Sequence, residues 1–543
     1  MSDLDAIVIG GGHNGLVAGA YLAREGARTV VLEGRDKVGG CVETSAPFPE
    51  LPDVRVSTYS YVVSLMPPFI IDQLRLRKFG YDVTPFGPYY VPFPDGRAIT
   101  IFGDDPKKTY DSVAQFSKKD AEALSHWEEW LHGVTSVVAP LLHAAPPKIG
   151  SLAPGDLLAT ARTAWRSRGL GVRGVGDLTR LFSMSISDLL DRWFESEQVK
   201  TVMMVDGLIG QWAGPDEPGT AYVLLHHSIG SVGGASHVVN WGFPQGGMGS
   251  VADALRASAE ASGCQIRTGA RVVKILTSSG SFRGVVLDTG EEIHAPTGVT
   301  CVHPEITFRR LLESADLPTE FVADVEGWKS RSGVVKINVV LSELPDFIAN
   351  PGTDLQPHHT GSVELCFDRE YAERAFQDAH LERRAAVRPF VDGAIPTTID
   401  RHLAPDGVHV FSMFSQWVPE SWSAEPHREE LEAYADRIID LYTELAPNFR
   451  ASVIDRQVIG PYDMEQELGL IGGNIFHGEL SIDQLFHMRP SPGYADYRTP
   501  ISGLYHGSSA THAGGGVNGI PGWQAFRAAK RDRAVPRRRR NSS

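Results

Sequence analysis

Residues 5–33 constrain the fold more tightly than any other stretch of this chain. "DAIVIG" (5–10) is a short apolar run ending in glycine. "NGLVAGAYLAREGA" (14–27) carries Leu16, Val17, Ala20 and Ala23 at helical spacing and closes on Gly26, and "RTVVLE" (28–33) is a second apolar run that ends on Glu33. The periodicity predicts strand, helix and strand within roughly thirty residues. Gly10, Gly12 and Gly15 form G-x-G-x-x-G at the first junction. In such a turn the first glycine permits the bend, the second lets backbone approach a pyrophosphate, and the third lets helix pack on strand. The helix N-terminus then offers unpaired N–H groups and a positive dipole end to phosphates. Glu33 ends the second strand, where a carboxylate accepts ribose hydroxyls. The expectation is a dinucleotide-binding βαβ unit, and hence an α/β chain with a parallel sheet.

The same glycine pattern recurs near the other end, in "HAGGGVNGIPGW" (512–523), as Gly514, Gly516 and Gly519. It lacks the surrounding unit. Five residues separate it from the preceding strand candidate "GLYHGS" (503–508), and the chain beyond "GWQAFRAAK" runs into arginines rather than into a second strand. It therefore belongs to the first site or is a structural loop.

Charge and cysteine content narrow the function classes. Net charge is −15, which repels phosphate backbones and argues against a nucleic-acid partner. The four cysteines form no C-x-x-C, and no H-E-x-x-H or comparable ligand spacing occurs, so neither dithiol chemistry nor a metal site is expected. A strand from about residue 5 leaves the expectation of no signal peptide. A reducing, cytoplasmic location is expected, with peripheral membrane contact as the second reading. Two features keep that second reading open: the basic tail 531–543, read either as solvated or as a tether, and the uncharged stretch "GVTSVVAPLLHAAPP" (133–147), in which Pro140 is expected to break a helix.

The residues after Glu33 bear on the cofactor. "EGRDKVGGCVET" (33–44) places Gly39 and Gly40 six residues beyond the acid. With "GGMGSVADALRASAEASG" (246–263) and the short strands up to "GVTCV" (298–302), this stretch resembles the two-dinucleotide-binding-domain flavoproteins. "GLYHGSSATHAGGGVNGIPG" (503–522) is similar to the closing motif of the phytoene desaturase and carotenoid isomerase-like FAD-dependent oxidoreductases, nearest the branch of pyridine nucleotide-disulfide oxidoreductase domain-containing protein 2. Cys41 stands where that group usually has arginine, and Ser508, Ala510 and Ala513 depart from its glycine and proline positions. The resemblance implies a Rossmann-like FAD domain with an inserted α+β substrate domain, one FAD, and a closing motif whose helix N-terminus faces the flavin. The cofactor-binding candidates are Gly10, Gly12, His13, Asn14 and Gly15 in the first turn, then Glu33, Gly34, Arg35, Gly39 and Gly40. Val272, Ser508, Gly516 and Val517 are added by the resemblance.

The expected division is a discontinuous FAD domain (1–66, 243–310 and 495–530) and a substrate domain (67–242 and 311–494). Residues 218–252 contain no charged side chain. They are read as buried core or as the wall of an apolar cavity, with Tyr222, His226, His227 and Trp241 as wall candidates. Residues 427–446 form an amphipathic helix with Leu431, Tyr434, Ile438, Leu441 and Leu445 on one face. The expected activity is hydride removal from an apolar or amphipathic small molecule. Flavin-dependent isomerisation without net redox and a FAD-containing partner-binding protein are the alternatives, with amine oxidation behind them. The resemblance suggests Thr58, Tyr59, His303, Arg489 and His512 near the flavin ring, without demanding any of them as a catalytic base. Substrate, electron acceptor and oligomeric state stay open.

Overall fold

Ala6–Ile9 and Thr29–Leu32 are strands with every side chain buried. They pair in parallel register, Ala6 with Thr29 through Ile9 with Leu32, and His13–Arg24 is the helix between them. A computed structural model describes residues 4–532 except 169–170, 231 and 233–240; the basic segment from 533 onward therefore lies outside the described residues. Three further strands complete a five-stranded parallel sheet in the order Leu504–His506, Thr297–Thr300, Ala6–Ile9, Thr29–Leu32, Gln265–Arg267. Inner strands of a parallel sheet are covered on both faces, which is why Ala6–Ile9 and Thr29–Leu32 are buried throughout, whereas the edge strand Gln265–Arg267 is partly exposed. On one face lie His13–Arg24, the helix Gly249–Ala261 and the closing helix Ile520–Arg531. On the other lies a three-stranded antiparallel ribbon of Val272–Ser278, Ser281–Leu287 and Glu292–His294.

The second layer is a seven-stranded sheet. Its order is Val453–Ile459, Val334–Leu341, His409–Gln416, Phe390–Ala394, Ser362–Leu365, Tyr89–Pro92 and Ala98–Ile101. Neighbours are antiparallel, except that Ser362–Leu365 and Tyr89–Pro92 run parallel. The helix Arg428–Leu445 packs on it with Leu431, Tyr434, Ile438, Leu441 and Leu445 buried. The fold is thus a two-domain, Rossmann-like FAD-binding fold with an inserted α+β substrate domain.

Two details differ from the sequence expectation. The helix Lys118–Leu142 runs through Pro140. Proline there falls in the last turn, where one missing N–H removes a single helical bond, and His143 still donates to Ala139 O at 3.1 Å. Segments flanking the expected boundaries also pack with the parallel sheet. Ile70, Ile71, Leu74, Leu76 and Tyr81 share a core with the helices His13–Arg24 and Gly249–Ala261, and Phe308, Leu311, Leu317, Phe321 and Val325 share one with the ribbon. Their apolar side chains go where the uncovered sheet faces are, which no boundary drawn from composition registers. Among the described residues no helix is long and apolar enough to cross a membrane.

Candidate functional site

A cleft of about 520 Å³ opens at the carboxyl ends of the parallel strands. Its floor is the first turn. Gly39 N donates to Gly11 O at 2.9 Å, which folds the 33–44 stretch back over the glycines. Glu33 is held from two sides: Gly11 N donates to Oε2 at 2.7 Å and Arg35 N to Oε1 at 2.9 Å. Arg35 in turn pairs with Glu43 at 2.6 Å. Gly10, Gly12, His13, Asn14, Glu33, Gly34, Arg35, Gly39, Gly40 and Val272 all line this cleft. Gly15 does not. A Cβ there would lie 1.9 Å from Gly10 O, so its part is close packing beneath the turn.

The cleft suits a dinucleotide on its own geometry. The helix His13–Arg24 starts at Gly12 with no side-chain cap, leaving its first N–H groups aimed at the cleft mouth. Asn14 Oδ1 is buried without a protein partner. Around Gly12 a Cβ would meet nothing nearer than Gly39 O at 4.0 Å, which leaves room for a phosphate. His13 is buried and pulled down to about 4, hence neutral at pH 7.

A second, narrower cavity of about 160 Å³ adjoins the first, and His13, Cys41, Leu470, His477 and Ser509 line both. Gly516 and Val517 of the closing loop form one wall. Tyr59, Tyr61, Phe86, Tyr89, Trp241, Phe414 and Phe476 supply the aromatic sides. The far wall is the seven-stranded sheet, and it is polar. Cross-strand register aligns Lys336, Phe414, Asp392 and Glu364 in one rank and Asn338, Ser412, Ala394 and Ser362 in the next. Lys336 Nζ donates to Asn338 Oδ1 at 2.5 Å and Ser412 Oγ at 2.7 Å. Tyr61 donates to Asp392 Oδ2 at 2.5 Å, and Ser362 Oγ donates to Asp392 Oδ1. Asp206 joins the wall from the helical layer. Burial pushes Asp206 up to about 7 and Glu364 well above the carboxylate range, and it pulls Lys336 well below the amine range.

The residues suggested near the flavin ring divide. Tyr59 lines the second cavity and donates to Glu467, a residue of the cleft wall. His303 lines the cleft with its ring bonded to Ser330 Oγ at 2.8 Å. Thr58 bonds Ser45 Oγ at 2.8 Å and lines neither cavity. Arg489, expected beside the ring, is instead sealed in protein. Its guanidinium donates to the carbonyls of Phe476, Gly478, Glu479, Gln484, Ser509 and Thr511 at 2.9–3.3 Å. His512 turns to Leu141 O at 3.0 Å. Ser508 bonds His506 Nε2 at 2.8 Å and lines neither cavity; its neighbour Ser509 lines both. The closing helix N-terminus is not bare, because Ile520 N donates to Asn518 Oδ1 at 2.8 Å. Of the uncharged stretch, His227 and Trp241 reach the second cavity. Tyr222 and His226 pack behind it against Phe486 and Phe476, because the fully buried helix Thr220–His227 turns only one side to the cavity. Sequence reasoning missed Asp206, Glu364, Asp392, Lys336 and Ser509. A signal existed for three of them: "GVVKINVVL", "SVELCF" and "FVDGAI" each set one charge inside an apolar run.

Relatives with the same chain organisation exist. Over 550 residues the chain is 38% identical to pyridine nucleotide-disulfide oxidoreductase domain-containing protein 2 of Rattus norvegicus, spanning 98% of this chain and 94% of that protein. The chain belongs to that family. The Mus musculus member is 37% identical over 551 residues, with 98% and 94% covered. Residues 8–69 match the NAD(P)-binding Rossmann-like domain and residues 176–345 the flavin containing amine oxidoreductase family. The solved structure of cyclohexylamine oxidase from Brevibacterium oxydans shares the fold, with a TM-score of 0.58 at 17% identity over 98% of this chain and 99% of that one. Pyridine nucleotide-disulfide oxidoreductase domain-containing protein 2 relatives are named for a disulfide chemistry, yet all four cysteines here are free. The architecture is that of an FAD-binding oxidoreductase.

Proposed function

We propose that this protein is an FAD-dependent dehydrogenase that removes a hydride from a C–H bond of a small, mostly apolar substrate held in the aromatic cavity. The observation that carries the reading is the continuity of the two cavities: His13, Cys41, His477 and Ser509 line both, so a molecule in the narrow one abuts whatever fills the cleft. Gly10, Gly12, His13 and Asn14 would hold the pyrophosphate, Glu33 the ribose, and Val272 the adenine side. Gly516 and Val517 would meet the ring, with Gly15 and Ser508 supporting the two turns from behind. FAD, when bound, supplies the hydride acceptor. The protein's own part is to orient the substrate and exclude water. The aromatic walls do both, and the neutral histidines His13, His227 and His477, pulled down by burial to about 4, 4 and 3, place no cation there.

The narrow cavity also bears on substrate size. About 160 Å³ falls below the roughly 300–1,000 Å³ of sites for drug-sized ligands, which favours a compact substrate over a long polyene. The likeness of the closing motif to desaturases supports the type of reaction rather than that substrate. The test is anaerobic mixing of purified yellow protein with small alkyl and cycloalkyl compounds. Bleaching of the flavin band with desaturated or oxidised product is the expected result. Colourless protein that takes up no FAD overturns the reading, and product formed without bleaching replaces it with isomerisation.

A further inference from the structure

The turn at residues 474–478 carries one side chain to the border of both cavities and fixes its backbone from behind. His477 lines the cleft and the aromatic cavity alike. Its φ of 57° lies in the left-handed region, which glycine enters freely and a residue with a Cβ enters at a cost. The turn around it is bonded throughout. Asn474 Oδ1 accepts from Phe476 N at 2.9 Å and from Gly478 N at 3.0 Å. His477 N donates to Asn474 O at 3.2 Å, and Trp328 Nε1 donates to His477 O at 2.9 Å. Gly478 makes space for that indole, since a Cβ there would collide with the Trp328 ring. The imidazole is the exception. Among the described residues neither ring nitrogen of His477 has a hydrogen-bond partner, and Nδ1 is buried. The histidines beside it do have partners. His303, with its ring 5.7 Å away, bonds Ser330 Oγ and accepts from Glu305 N, and His506 bonds Val302 O and Ser508 Oγ. An unpaired buried polar group is costly, and so is a strained backbone. Both costs fall on one residue, at the point where the two cavities meet.

We propose that His477 is a catalytic residue whose ring N–H donates a hydrogen bond to the flavin ring where the cleft meets the substrate cavity. The inference rests on the FAD site and substrate cavity proposed above. Three observations agree on it. The ring nitrogens have no protein partner, so a ligand group satisfies them. The backbone on either side of the ring is held by Asn474 and Trp328, so the imidazole is positioned before any ligand arrives. The strained conformation would suit glycine better, so what the position retains is the side chain itself. Burial, with help from His13, His506 and Arg489, pulls the imidazole down to about 3. At pH 7 it is neutral, with one nitrogen carrying a proton and the other a lone pair. A neutral N–H at the ring favours its electron-rich reduced form without placing a full charge beside an apolar substrate. Because the same residue lines the aromatic cavity, the substrate packs against the group that holds the ring.

The experiment uses full-length protein and two substitutions. His477→Phe keeps a ring of similar shape without nitrogen, and His477→Gly removes the ring and relieves the left-handed strain. At saturating FAD the visible flavin band and the midpoint potential are read anaerobically. FAD affinity is read by equilibrium dialysis, and thermal unfolding is followed in parallel. Both variants should show a displaced band and a lower potential than the parent protein. FAD affinity should fall about two- to thirteen-fold, the span of one hydrogen bond. His477→Gly should unfold at a temperature no lower than the parent, which separates a ligand contact from a structural role and keeps the test open if His477→Phe fails to fold. A band and potential equal to the parent's in His477→Gly, or in folded His477→Phe, overturns the proposal. A His477→Gly protein that unfolds well below the parent overturns it too, because the imidazole would then be bracing the fold. Parent protein that takes up no FAD defeats the reading of the cleft itself, whereas FAD-replete variants indistinguishable from the parent defeat only the part given to His477.

Discussion

The two sheets use charge in opposite ways. In the five-stranded parallel sheet the strands Ala6–Ile9 and Thr29–Leu32 carry no charged side chain, and the chemistry sits in the turns beyond their ends, at Gly10–Gly15 and Glu33. In the seven-stranded sheet the chemistry sits within the strands, at Lys336, Glu364 and Asp392. The first arrangement holds its ligand with backbone amides and a helix end, which depend on chain path. The second places side chains by cross-strand register, which depends on partners distant in sequence. One site is therefore broken most easily through backbone geometry and the other through ionisation.

Gly15→Val should show the largest effect. The added Cβ has 1.9 Å to Gly10 O, so the helix must leave the strand. The expected outcome is protein with no bound flavin and a loss above about 4 kcal/mol, the range reserved for severe disruptions, read by the flavin-to-protein ratio and thermal unfolding. A flavin-replete Gly15→Val protein would show that the turn is not the close contact described.

Arg489→Lys comes next. An ammonium group cannot reach the six carbonyls that the guanidinium joins. Carbonyls left unpaired each cost about 1–3 kcal/mol, so destabilisation of at least about 3 kcal/mol is expected in denaturant titration. Turnover per bound flavin should be unchanged, because Arg489 braces the segment 476–484 against the closing loop and lines neither cavity. A fall in turnover with stability intact would return it to the reacting centre.

Asp206→Asn tests the polar wall through pH. Its carboxyl is raised from 3.8 to about 7 by burial and by Asp392. The folded protein therefore retains a proton that the unfolded chain releases between about pH 4 and 7. Stability from this group is present below about pH 4 and declines as pH rises towards 7, by up to about 1.4 kcal/mol per pH unit for one proton. Removing the group should flatten the pH dependence of unfolding between pH 5 and 7 relative to the parent protein. An unaltered slope would place the ionising group elsewhere.

The smallest effect is expected from Glu33→Ala. The carboxylate orders the turn through Gly11 N and Arg35 N, and losing one charge-assisted contact to a ribose costs roughly 1.5–3 kcal/mol. FAD affinity should fall about ten- to 150-fold, with the fold retained, by equilibrium dialysis of the flavin. Unchanged affinity would take the ribose role from Glu33.

The first βαβ unit of the FAD-binding half was legible in the sequence, because its elements are local. A strand, a glycine turn, a helix and an acid succeed one another within one segment, and periodicity with turn chemistry reports such neighbours directly. The closing motif has no such local unit and was recognisable by its resemblance to a known family's motif. It was less legible which of its residues turn towards the cavity: Ser508 and Ser509 are adjacent, and only the packing of Ser508 onto His506 decides between them. The same holds for Arg489, whose role depends on carbonyls of residues 476–484 and 509–511. The polar rank is the extreme case. Lys336, Glu364 and Asp392 lie on three strands with long stretches of chain between them, and a single lone charge in an apolar run does not reveal its neighbours. By itself the sequence determined a Rossmann-like turn built for a dinucleotide, since residues in contact there are also close along the chain. Only the tertiary structure decided that Asp206, Glu364, Asp392 and Lys336 line one aromatic cavity, because strand register is set by the packing of whole sheets.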